Sequence, residues 1–551
     1  MFRETTTNIQ MSLFDNPADL MGKRAVKKYE DPKAWFNQFY ALVTSQIDES
    51  VFRPLFKEGN MGAPTASIRQ LVAMSILKEG FGCSDEDLIE KCDYDLLTRK
   101  ALGLVRMEDE APSLDTYYLL RRRICDYADA TGENLMETCF SRLTGFQAAK
   151  FKISGKSIRM DSKLIGSNIA WYPRYELIHK TFLQEMGQYM SRLNPSLKKK
   201  VQPWLEENAK QTVYRSNSET IQQRLAELGR VIYAVLVRVK AQDGLLKQVF
   251  EEQYVVEHGQ VTPRDKKAIA ADSVQNPNDP DAEYRQKGQQ KVKGYSVNIT
   301  ETTDQDDAPS LITGVQVEGA TAADNAFYGD AIAKSEATTG STVETVYSDG
   351  AYQNADNRAL LVNGVFTGIQ GRQSRYRLDE SDGDTVRITD TRTGEVYEAK
   401  RTKGGSIRVP NPGDRSKYKW RYFLPKQLES MRSRKLMEDI PPEEKNKRNN
   451  VEASVFQLCF HTRNNKTRYR GRRKHELWAF ARSAWINLRR IVLFQSKNAP
   501  EGTNGPHDGL LSAVLASLKT MSQTLEHLKL YFPGPDFRPA MVARRAEILT
   551  F

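Results

Sequence analysis

KSIRMD (156–161) reads as a short β-strand that closes on a carboxylate. A second run of the same kind, ETVYSD (344–349), closes on another. A third acid, Glu452, lies within a helical run, KRNNVEASVFQLCF (447–460), one turn after Arg448. Three carboxylates from two strand ends and a helix can meet around a pair of hard cations. Such a site suits phosphodiester chemistry, because paired divalent ions hold both the attacking and the leaving oxygen. Asp161, Asp349 and Glu452 are therefore the candidate catalytic and metal-ligating residues, and oxygen-only ligands suit Mg²⁺ or Mn²⁺, two ions, rather than zinc. Read singly, each has a plainer meaning: an Asp ending a strand is commonly a turn residue, and a Glu on a helix commonly faces water.

Between the two aspartates, GYSVNIT (294–300) alternates Tyr295, Val297 and Ile299, and LITGVQVE (311–318) is its expected partner strand. ATAADNAFYGDAIAKS (320–335) then reads as a helix. After the second aspartate, ADNRALLVNG (355–364) looks helical and VFTGIQG (365–371) strand-like. Strand with Asp161, strand pair, helix, strand with Asp349, helix with Glu452 is the order of an RNase H-like mixed sheet flanked by helices, an α/β fold. The gaps are long, 188 residues from Asp161 to Asp349 and 103 from there to Glu452. A helical insertion at 175–258 and a β-rich insertion at 372–434 account for them, and both should leave the core at surface connections. The catalytic core would then comprise 151–371 and 435–496.

Upstream, Thr65 to Thr144 is patterned for helices, with Ile68, Leu71, Val72, Met74, Ile76 and Leu77 at helical spacing. Ser84 followed by Asp85, Glu86 and Asp87 is a helix start. Residues 1–150 are thus expected to form an all-α N-terminal domain related to helix-turn-helix proteins. NAPEGTNGP (498–506) reads as a linker, and 497–551 as a partly helical tail.

The chain has 551 residues, with 81 Lys plus Arg against 70 Asp plus Glu, a net charge of +11. That excess favours a polyanionic partner. It is concentrated in HTRNNKTRYRGRRK (461–474), directly after the Glu452 helix. Arg463, Lys466, Arg468, Tyr469, Arg470, Arg472, Arg473 and Lys474 are the candidate DNA-binding residues, with a solvated loop as the plainer alternative. Arg448 can pair with Glu452 or reach a phosphate. Five cysteines without CxxC spacing read as reduced thiols. The start has no signal-peptide core, and the most apolar stretch, 510–532, is interrupted by Lys519, Glu526, His527 and Lys529. A cytoplasmic, nucleoid-associated setting is expected. SGKS (154–157) lacks the first glycine of a phosphate loop, and neither GxSxG nor GxGxxG occurs. Asp272, Asp279, Asp281 and Glu476 are competing acids, better read as structural.

These segments also carry a family resemblance. MDSKLIGSN (160–168), VKGYSVNITETTD (292–304), SDGAY (348–352), RNNVEASVF (448–456), RYRG (468–471) and WINLRR (485–490) resemble, in order, the motifs of DDE transposases of bacterial insertion sequences. PTASIRQLVAMSILKEGFGCSDEDLIEKCDYDLLTRKALGL (64–104) resembles the N-terminal helical domain of one branch. Many relatives carry Tyr-x-x-Arg-x-x-x-Glu-x6-Lys on the third helix. Arg448 and Glu452 match it, while Lys445 and Cys459 stand at the tyrosine and lysine positions, and Arg448, Glu452 and Cys459 are expected on one helix face. The resemblance implies metal-dependent cleavage of transposon ends, then in-line attack of the freed 3′-hydroxyl on target DNA. It implies an N-terminal domain that reads terminal inverted repeats, and a homodimer pairing two ends of double-stranded DNA. The alternatives are a catalytically decayed or domesticated DNA-binding relative and a structure-selective nuclease.

Overall fold

A mixed sheet forms the centre, organised around the long strand Gln290–Thr302. One edge of this strand pairs antiparallel with Ser157–Gly166, the Asp161 strand. Its other edge pairs antiparallel with Glu283–Lys287 and then with Ile312–Gly319. Beyond the Asp161 strand, Thr345–Ser348 and then Asn363–Phe366 add in parallel. The computed structural model describes residues 17–56, 65–303, 305–360, 363–366, 375–382, 385–410 and 419–497. The first sixteen residues, the end of VFTGIQG, the 498–506 linker and the tail beyond Lys497 lie outside the described residues.

Alternation along the Asp161 strand sends Ile158 and Met160 to one face of the sheet and Arg159, Asp161, Lys163 and Ile165 to the other. On the first face, Ile158, Met160 and Val346 pack with Tyr328, Ala331 and Ile332 of the helix Tyr328–Thr339. Over the second lie the helices Pro442–Leu458 and Arg472–Lys497. Proline at its start and Glu443 and Glu444 in its first turn favour the former, since carboxylates there offset the helix dipole.

The helices from Lys23 to Lys150 share a core with that second face rather than having one of their own: Leu71, Ile76 and Phe140 belong to the same apolar cluster as Val297, Ile299, Phe480 and Ile486. Trp485 is its centre, with the rings of Trp35, Phe39 and Phe81 at 5.5–6.1 Å. Gly80 lies so close against that indole that any side chain would collide with it. Within this bundle the helix Asp85–Tyr94 begins with the capping box expected from its sequence, formed between Ser84 and Asp87.

Two further cores interrupt the sheet's elements. Helices from Arg174 to Gln253 bury Phe182, Trp204, Leu228 and Phe250 among themselves. Five antiparallel strands between Tyr376 and Phe423, with the helix Pro425–Glu438, bury Leu378, Ile388, Ile407 and Leu428. All of these elements up to Val492, within the last helix, belong to one compact unit. Among the described residues no helix is long and apolar enough to cross a membrane.

Two local expectations need correction. Asp161 does not end its strand: pairing with Gln290–Thr302 carries it on to Gly166, because Lys163 and Ile165 find partners in Val297 and Tyr295. Cys459 is not on the helix face of Arg448 and Glu452: the helix ends at Leu458, and Cys459 is its buried cap.

Candidate active site

The parallel register Ser157↔Thr345, Ile158↔Val346, Arg159↔Tyr347 carries, two residues on, to Asp161 and Asp349. The two aspartates therefore lie two residues beyond the last paired residues of neighbouring strands, and the charge of Asp349 reaches Asp161. Asp349 follows directly on its strand and accepts a hydrogen bond from the Gly350 N–H at 2.6 Å, which fixes the turn Gly350–Tyr352. Glu452 comes from the helix laid over the Asp161 strand, anchored by Val451, Ser454, Val455 and Leu458. Arg159 donates to the Lys447 carbonyl at 3.0 Å and Tyr347 to Glu444 at 2.6 Å, which pins the start of that helix to both strands.

Arg448 ties the helix acid to the strand acid. Its Nη2 is 3.4 Å from Asp161 Oδ1, and its Nη1 is 3.3 Å from Glu452 Oε1. Its Nε is buried and has no hydrogen-bond partner among the described residues. The Asp161 side chain is 18% exposed and that of Glu452 60%. Burial raises the Asp161 carboxyl above its ordinary value, Arg448 and the Ser162 N–H pull it down, and the charges of Asp349 and Glu452 push it up again. The three acids thus act on one another, with a single guanidinium among them.

Among the described residues no three His, Cys, Asp or Glu side chains stand close enough together to hold a metal ion. In this arrangement Arg448 fills the space between Asp161 and Glu452. The donor chemistry nevertheless fits a hard cation. All donors are carboxylate oxygens, and three acids against one arginine leave the site short of about two positive charges.

Beneath the acids lies a residue that the sequence offered without a role. Tyr352 of SDGAY is fully buried and donates to Asn298 Oδ1 at 2.6 Å. Burial, then the charges of Asp161 and Asp324, hold its phenol protonated far beyond neutral pH. It links the turn after Asp349 to the strand beside Asp161. Two of the competing acids have structural partners: Asp279 is buried and accepts from the Ser167 and Tyr295 hydroxyls, and Glu476 is held by Arg472, Arg473 and Asn134.

The basic segment after the Glu452 helix crosses the end of the Asp161 strand. Gly166 N–H donates to the Asn465 carbonyl at 2.7 Å, Thr467 N–H to the Gly166 carbonyl at 3.0 Å, and Asn168 N–H to the Tyr469 carbonyl at 2.8 Å. Many of its cations have partners within the chain. Lys466 donates to the Ile169 carbonyl, Arg468 to those of Gly82 and Cys83, and Arg470 to that of Asn168. Arg472 pairs with Glu318 and Glu476, and Arg473 with Asp129 and Glu476. Tyr469 is turned inward onto Glu79 and Lys78. Arg463 and Lys474 are exposed, with no side-chain partner among the described residues. The segment is therefore a strap between the N-terminal helices and the sheet. The guanidiniums bonded only to carbonyls keep their charge unbalanced.

Comparison with known proteins gives one match: the family model "Transposase domain (DUF772)" covers residues 28–123, all within the N-terminal helices and remote in sequence from the three acids. Neither a curated protein nor a solved structure matches the chain. The family match supports reading the chain as a transposase.

Proposed function

We propose that the chain is a DDE-type transposase with an RNase H-like catalytic core, which cuts the ends of a DNA element and joins them to target DNA. The observation that supports the proposal is that Arg448 contacts both Asp161 and Glu452, and that the charges of Asp349 and Glu452 both reach Asp161. The strand order agrees with it: with Glu283–Lys287 set aside, Ile312–Gly319, Gln290–Thr302, Ser157–Gly166, Thr345–Ser348 and Asn363–Phe366 stand third, second, first, fourth and fifth in chain order, with Gln290–Thr302 alone reversed among these five. The transposase match at the N-terminal helices adds independent support.

Asp161, Asp349 and Glu452 would hold Mg²⁺ or Mn²⁺, which when bound supplies positive charge for the oxygens exchanged at phosphorus. The chain's own residues do the rest. Asp161 has to be ionised to serve as a ligand, and Arg448 favours that form against burial and two neighbouring acids. Arg448 lies between Asp161 and Glu452, and once released from Glu452 it can turn to a phosphate. The strap carries cations past the end of the Asp161 strand, where they offer sequence-independent contacts to a DNA backbone. The N-terminal helices are the proposed readers of the element's ends, and a homodimer would pair two ends.

The test is a strand-cleavage and joining assay with full-length protein, Mg²⁺ and a plasmid carrying the coding sequence with its flanks. Nicked and joined products are expected from the wild type and neither from Asp161→Asn. Undiminished cleavage by the variant would remove the site. Cutting without joining would mean a nuclease. DNA binding without cutting would mean a decayed relative, the reading that Lys445 and Cys459 favour.

A further inference from the structure

Four alternate residues of the Asp161 strand, Arg159, Asp161, Lys163 and Ile165, share the face over which the helix Pro442–Leu458 lies, and three have evident uses. Arg159 binds Glu301 and the Lys447 carbonyl, Asp161 meets Arg448, and Ile165 lies in the core. Lys163 has neither an ion pair nor a hydrogen bond among the described residues. It is only partly exposed, and its charge reaches the buried Cys459 thiol just past the helix end. Desolvating an ammonium is costly unless an anion faces it. Asp161 lies on one side of Lys163, and on the other the strap crosses Gly166 and Asn168 and brings Arg470 onto the Asn168 carbonyl. Lys163 thus lies along the strand between the carboxylate Asp161 and the point at Gly166 where the basic strap crosses. Two residues along a strand is about 7 Å, the rise of roughly two nucleotides in a DNA strand.

We propose that Lys163 is a phosphate anchor, binding the backbone of the DNA strand a nucleotide or two from the phosphate under attack and so positioning that strand over Asp161, Asp349 and Glu452. The proposal rests on the transposase reading and adds a residue and a contact to it. The competing use of Lys163 is structural, as a counter-charge for the carbonyls at the end of the helix Pro442–Leu458.

Salt dependence separates the two. Binding of a fluorescent duplex of mixed sequence to full-length wild type, Lys163→Gln and Lys163→Arg is measured from roughly 50 to 200 mM salt, the range over which phosphate contacts are titrated. Loss of one phosphate contact should lower the slope of log K against log salt by about 0.9 in Lys163→Gln, with several-fold weaker binding at the low-salt end, and Lys163→Arg should restore both. An unchanged slope in Lys163→Gln, with or without a lower melting temperature, assigns Lys163 to the helix end and overturns the proposal. Wild type that binds duplex with no salt dependence at all would instead overturn the DNA-processing reading.

Discussion

Two charged clusters lie two residues apart on one face of one strand, and they are built in opposite ways. Around Glu301, two arginines serve one carboxylate. Arg159 from the neighbouring strand and Arg490 from the last helix both bind it, and Ser454 of the Glu452 helix donates to it. Glu301 is fully buried. Burial alone would raise its carboxyl, but Arg490 and Arg159 outweigh it and hold the group below its ordinary range. Around Asp161, one arginine serves two carboxylates while the charge of a third, Asp349, also reaches Asp161; the site is half open, and the Asp161 carboxyl is raised. The first cluster is complete in itself and fastens two strands to two helices. The second lacks positive charge, and only something from outside the chain can supply it. A charged group close to a site is thus sorted by its balance of partners, not by its burial alone.

The largest effect should come from breaking the complete cluster. Glu301→Leu would leave Arg159 and Arg490 buried without a counter-ion, a change that costs about 3–5 kcal/mol in folded stability. Urea unfolding followed by tryptophan fluorescence measures it. A loss below about 1 kcal/mol would mean that water reaches the two guanidiniums, and the contrast between the clusters would collapse.

A smaller effect of opposite sign is expected at the incomplete cluster. Asp161→Asn removes one of three mutually repelling charges while keeping the shape. Strand cleavage should disappear, yet stability at neutral pH should rise, by about 1 kcal/mol or less. A catalytic acid that opposes folding is the mark of a site shaped for a ligand. A clear loss of stability would instead place Asp161 among the structural ion pairs.

The sequence made the acids legible and left their surroundings dark. Asp161, Asp349 and Glu452 could be picked out because each stands in a recognisable local pattern, and the alternation of Tyr295, Val297 and Ile299 announced the strand between them. The strand's continuation past Asp161 is not legible, since a turn-forming residue is a local signal and the pairing of Lys163 with Val297 is not. The Glu301 cluster was invisible because Arg159, Glu301 and Arg490 meet only through sheet register and helix packing. In 461–474 the abundance of charge was plain, but the partners at Gly82, Asp129 and Glu318 lie more than a hundred residues away. The N-terminal helices were legible one by one, whereas their shared core with Trp485 follows from tertiary packing alone.

The smallest expected effect, and the most specific, is in pH dependence. Asp161 is raised in the folded state above its ordinary 3.8, so the native form takes up its proton before the unfolded form does. Wild-type stability should therefore gain from this group as pH falls through the folded-state value, the gain being complete below 3.8. The advantage of Asp161→Asn over wild type should shrink over that window and vanish below it. Glu301 runs the other way. Its folded-state value lies below the ordinary 4.5, so its contribution is present above 4.5 and is lost as pH falls through the lower, folded value. The deficit of Glu301→Leu should accordingly hold steady down to about pH 4.5 and narrow only below it. Urea midpoints of the three proteins between neutrality and about pH 4 resolve the Asp161 window. An Asp161→Asn advantage that grows on acidification would mean that Arg448 outweighs burial and the neighbouring acids, and the two clusters would then be alike in sign.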